Sequence, residues 1–233
     1  EMRSRLTDES LHMGAGLDWY AAEPWFVMER FGRWQDILAT PAPDPKLFGL
    51  SAAYRYARCA AFAATGQVDA AITEKAELDA IAIATPADAP AGLNKAGDLI
   101  AVASAIATAH IASAQGRRAD AIAALRDAVA KEDKLDYDEP ADWFIPVRHL
   151  LGAQLLRERR AKEAEQVYRE DLQHHPENGW ALYGLAQSLK AQHKTKQAAA
   201  VEHRFALSWK DADVVLTSSY ASSPRAGASS PDS

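Results

Sequence analysis

At 233 residues the chain can form one elongated repeat domain or one to two globular ones, and its 48% apolar and 25% charged residues are ordinary for a folded protein. A net charge of −6 argues against a nucleic-acid-binding surface. The single cysteine, Cys59, excludes an internal disulfide framework and any cysteine-based zinc site; it fits a reducing compartment and the periplasm alike, and a cytoplasmic protein is expected with the periplasm left open.

The chain starts on Glu1, which leaves room for an upstream segment, and its first residues lack the basic-then-apolar layout of a signal peptide. No unbroken apolar run approaches the length needed to span a bilayer, so membrane insertion is not expected. Residues 1–17 read as a lead-in. From there, helical periodicity predicts five helix pairs, at 18–51, 52–85, 102–135, 145–178 and 179–212. Gly32-Arg33-Trp34 stands before Ile37-Leu38, Gly66-Gln67 before Ala71-Ile72, and Gly116-Arg117 before Ala121-Ile122. Glycine suits such a turn because a helix ends best on a residue that tolerates positive φ. Two stretches break the phase, one around residues 86–92 and the other from Asp136 to Pro140, ahead of Trp143; the second reads as a loop in which Trp143 covers the edge of the core, with an insertion on the binding face as the alternative.

The fourth pair carries the fullest pattern: Leu151-Gly152, then Leu155, Ala164, Tyr168 and Pro176, echoed 34 residues later by Leu185, Ala186, Leu189 and Ala198. This resembles the tetratricopeptide repeat (TPR). Two longer stretches, Trp25 to Leu38 and Tyr137 to Leu182, are similar to the C-terminal half of a group of bacterial TPR proteins of unassigned role. The resemblance implies an all-α, right-handed superhelical solenoid of about five TPR-like helix pairs, with a globular helical bundle as the alternative. Alanine at the positions of closest helix approach agrees with this, since stacked pairs share one continuous core. Residues 213–233 form a Ser/Ala/Pro-rich tail; from Thr217 it has few apolar anchors, so in isolation it would stay disordered, and ordering it would need a surface such as a neighbouring molecule's groove.

In a TPR superhelix the first helix of each pair lines the concave face. Carried onto this chain, the resemblance implies a ligand groove lined by Trp19, Phe26, Arg30, Tyr56, His110, His149, Arg157, Trp180, Tyr183, Gln187 and Lys190, with Arg148 beside it. Aromatic rings and histidines suit peptide or small-ligand capture, although several of the rings can equally serve as packing between pairs. The paired lysines and asparagines of a carboxylate clamp are missing, but Arg148, Arg157 and Lys190 could meet an acidic ligand.

His110 and His149 with Asp138 and Glu139 make a mixed metal site conceivable, but no tight ligand spacing exists and no cofactor is assigned. His174-His175 reads as a solvated helix end, Cys59 as a packing residue, and the basic cluster from Arg157 to Lys162 as a solvated face. Gly14-Ala15-Gly16 is too short for a dinucleotide loop, and no Walker, GxSxG or CxxC pattern appears. The leading expectation is therefore a scaffold that binds a protein or peptide in its groove, and self-association is a further one. The alternative is a small-molecule or metal-binding protein, or an enzyme, centred on His110, His149 and Arg148. A third reading is a structural role through the ends of the solenoid.

Overall fold

A computed structural model of the chain describes residues 16–221. The fold is all-α: 67% of it is helical and almost none is strand. After a 3-10 turn at Asp18–Ala22 come α1 (Glu23–Arg30), α2 (Trp34–Ala39), α3 (Phe48–Ala64), α4 (Val68–Ala84), α5 (Ala96–Ala114), α6 (Arg118–Glu132), α7 (Val147–Arg157), α8 (Ala161–His174), α9 (Gly179–Ala191) and α10 (Thr195–Ser208). The interruption between α4 and α5 holds a small antiparallel ladder, β1 (Pro90–Ala91) on β2 (Asn94–Lys95), with Pro90 opposite Lys95.

The ten helices follow one another as five pairs, each joined by a three-residue turn of one design. The central residue takes positive φ: Gly32, Gly66, Gly116, Arg159 and His193. The next amide then reaches back five residues, as in Arg33 N to Met28 O (2.8 Å), Gln67 N to Phe62 O (2.8 Å) and Arg117 N to Ala112 O (2.8 Å). The same bond recurs from Arg160 N to Leu155 O at 2.9 Å and from Lys194 N to Leu189 O at 3.0 Å. This Schellman arrangement satisfies carbonyls that the helix end leaves open. Glycine reaches it without strain, whereas Arg159 and His193 take a conformation that L-residues enter at a cost.

Packing is local in sequence. Each helix lies on its chain neighbour, and first helices also stack on first helices: α1 on α3, α3 on α5, and α7 on α9. The first helices are consequently buried on most faces, while the second ones bury a narrow stripe. α4 buries only Ala71, Glu74 and Leu78, but α3 buries residues along its whole length, many of them alanine. Alanine permits this because its small side chain lets neighbouring backbones come close. Cys59 sits in that layer, fully buried.

The fourth pair shows what its glycine is for. The Tyr168 ring from α8 is clasped between Gly152 on α7 and Gly184 on α9, and a Cβ on either glycine would overlap the ring. Among the described residues, α5 is the one helix long and apolar enough, by length and composition, to cross a membrane. Asp98, Ser104, Thr108 and His110 interrupt any unbroken apolar run in it. Of its most apolar window, 61% is buried inside the fold, against α3, α4 and α6.

Candidate functional site

Two consecutive residues near the end of α1 organise a buried polar centre. Glu29 is fully buried, and its Oε1 accepts hydrogen bonds from the phenols of Tyr56 on α3 (2.7 Å) and Tyr220 (2.5 Å). His110 Nε2 on α5 lies 3.3 Å from the Tyr220 oxygen and 3.8 Å from Glu29 Oε1. The second carboxylate oxygen, Oε2, has no hydrogen-bond partner among the described residues. Burial, reinforced by the Glu29 charge, pushes the Tyr56 and Tyr220 phenols well above their ordinary pKa, so both stay O–H donors.

Arg30 turns toward the other helices. Its guanidinium lies 4.5 Å over the Trp180 ring and donates from Nη2 to His149 Nδ1 at 3.0 Å. Since arginine can only donate, Nδ1 must accept, and the His149 proton is on Nε2, which donates to Asp171 Oδ2 at 3.0 Å. Burial lowers the His149 pKa against the pull of Asp171, so the ring is neutral. Burial also pushes Asp171 up, but hydrogen bonds from His149 and His175 outweigh it and hold the carboxyl below its usual range. Arg30 is pushed down to about 10 by burial and remains charged at neutral pH.

The stretch after α10 closes this centre. Ser219 is almost fully buried: its carbonyl accepts from Arg30 Nη1 (3.0 Å), its Oγ donates to the His149 carbonyl (3.0 Å), and the same Oγ meets the Tyr168 hydroxyl (2.6 Å). Leu216 and Tyr220 are buried as well. Beside them, α5 and α7 flank a small open cleft lined by His110, Ser113, Leu150, Gln154, Arg157 and Tyr220 among others. Thus residues 217–221 of the expected tail lie against the chain's own helices; residues 222–233, like residues 1–15 of the lead-in, fall outside the described part.

The connection of residues 133–146 covers the other end. Trp143 inserts among Trp19, Phe26 and Tyr56, with ring centroids 6.1, 5.3 and 5.4 Å away. Asp142 anchors it: its carbonyl accepts from Trp19 Nε1 (2.6 Å), and its carboxylate accepts from Tyr20 (2.5 Å) and Asn94 (2.7 Å). Trp143 Nε1 is buried with no partner among the described residues.

Of the residues named from sequence, Trp19, Phe26, Tyr56 and His149 are buried beneath this connection and the C-terminal stretch. His110 and Arg157 line the cleft. Arg148 is committed elsewhere, in a two-pronged pair with Asp133 at 2.6 and 2.9 Å. Trp180 meets Arg30 and Phe31, Tyr183 packs on Phe205, Gln187 is half-buried, and exposed Lys190 pairs with Glu202. The conceivable metal set is not brought together. Asp138 bonds Tyr20, Glu139 bonds Tyr137, both His149 nitrogens are engaged, and no three His, Cys, Asp or Glu side chains converge among the described residues. Sequence reasoning passed over Glu29, Asp171, Ser219 and Tyr220; the one available signal was two charges, Glu29 and Arg30, directly after the apolar run Trp25-Phe26-Val27-Met28.

No protein-family model, curated protein or solved structure matches the sequence.

Proposed function

We propose that the chain is a TPR-type scaffold whose first helices form a groove that binds an extended protein or peptide segment. The five identical turns support the repeat reading, as does the 34-residue interval that separates Gly32 from Gly66 and Arg159 from His193. So does the tyrosine clasped by Gly152 and Gly184, a close approach that the repeat pattern of the fourth pair encodes.

One observation carries the binding reading. An irregular stretch of chain, Ser219-Tyr220, is held by side chains from α1, α5 and α8 through its backbone carbonyl, its hydroxyl and its phenol. Contacts to backbone and side chain together are how a groove holds an extended peptide. The test is selection of peptides from a randomised display library on the full-length protein. Selected binders should lose affinity by about tenfold or more on Trp180→Ala, which removes a ring under Arg30, while the far-ultraviolet circular dichroism stays unchanged. Binders indifferent to Trp180→Ala and to Arg157→Ala would place binding outside the groove.

A further inference from the structure

We infer that the groove reads an unmodified tyrosine phenol presented by an extended segment, and that residues 214–221 are its resident ligand in cis. This rests on the peptide-binding reading above.

The polar contacts that the stretch after α10 makes with distant helices are concentrated on two residues, while Leu216, buried ahead of them, adds an apolar one. Val215 is 90% exposed, and Val214 is held through its carbonyl by the Trp209 indole at 2.7 Å. Ser219 and Tyr220, by contrast, direct every polar group named above at helices far away in sequence. Such a pattern is that of an anchor pair on a tether.

Glu29 explains why the anchor is a phenol. A fully buried carboxylate is costly unless donors meet it. Of its two O–H donors, Tyr56 belongs to α3, and only Tyr220 arrives on the tethered stretch. Oε2 has no partner among the described residues, so the carboxylate depends on the two donors at Oε1. A phenylalanine would fill the ring space beside His110, 5.9 Å between centroids, but leave Glu29 one donor short. A phosphotyrosine would bring its negative charge against the buried carboxylate, and like charges there repel strongly. The chemistry that fits is therefore a neutral tyrosine following a small hydroxyl residue.

A tethered ligand competes at an effective concentration on the order of millimolar, so it masks the groove from outside peptides. The test is fluorescence anisotropy with a labelled peptide of residues 214–221, Val-Val-Leu-Thr-Ser-Ser-Tyr-Ala, titrated with the full-length protein and with full-length Tyr220→Phe. Tyr220→Phe keeps the ring and weakens the resident ligand, so it should bind the peptide about tenfold tighter than wild type. On that variant, peptides with phenylalanine or phosphotyrosine in place of tyrosine should bind about tenfold more weakly or worse. If Tyr220→Phe loses its helical signal, Ser219→Ala takes its place with the same expected gain. Equal affinity of wild type and variant for the tyrosine peptide overturns the inference, as does equal affinity for the tyrosine and phenylalanine peptides. A randomised library on the same variant separates the two levels. Binders that accept phenylalanine at the anchor sink the phenol specificity alone, whereas a complete lack of binders sinks the groove.

Discussion

Arg159 and His193 occupy the same left-handed turn position as Gly32, Gly66 and Gly116. Three of the five turns are thus legible, because glycine advertises the conformation; the other two are not, because a side chain there signals nothing about φ. The physics makes a prediction. Arg159→Gly should raise stability by up to about 1 kcal/mol, the relief of left-handed strain less the entropy glycine adds to the unfolded chain, read as a higher urea midpoint. An unchanged or lower midpoint would mean that the turn is unstrained. Glu132 gives a second residue-scale test. Burial pushes its carboxyl up to about 7, against hydrogen bonding from the Val147 amide at 3.0 Å. A carboxyl raised in the folded state contributes stability below its ordinary pKa and loses it as pH rises through 7. Glu132→Gln should therefore gain on wild type by on the order of 2 kcal/mol between pH 5 and pH 8 in urea titrations. A difference independent of pH would contradict the assignment.

Among the elements, the helices are legible because each repeats its apolar residues at helical spacing and the second helices bury a single stripe. What covers the first helices is legible only in part: Trp143, beside the longest break in the repeat phase, reads as a cover for the core edge, but which rings it meets does not show. The aromatic residues Trp19, Phe26 and Tyr56 look in sequence like an open face, yet Trp143 from an irregular connection packs among them, and irregular connections carry no periodicity to announce where they go. The Trp143 ring should matter more than its N–H, which has no partner among the described residues. Trp143→Ala should cost about 3–5 kcal/mol, as expected of a large aromatic removed from a core. Trp143→Phe should cost less than half of that, because it keeps most of the ring area and removes an unpaired donor. Comparable losses in thermal or urea unfolding would place Trp143 in a polar contact instead.

At the scale of the whole molecule, the stretch after α10 packs back onto the chain's own helices. Composition makes the stretch after α10 look too poor in apolar anchors to order itself. Two residues reverse it in place, because Ser219 accepts from the buried Arg30 guanidinium and Tyr220 donates to the buried Glu29 carboxylate. The sequence cannot display such a match, since Glu29 and Tyr220 are 191 residues apart and each is unremarkable alone. The most direct measurement is nuclear Overhauser spectroscopy of the full-length protein, with labelled tyrosine and histidine rings. The account predicts cross-peaks between the ring protons of Tyr220 and His110, whose centroids lie 5.9 Å apart. A Tyr220 ring with random-coil shifts and no cross-peak to His110 would contradict it.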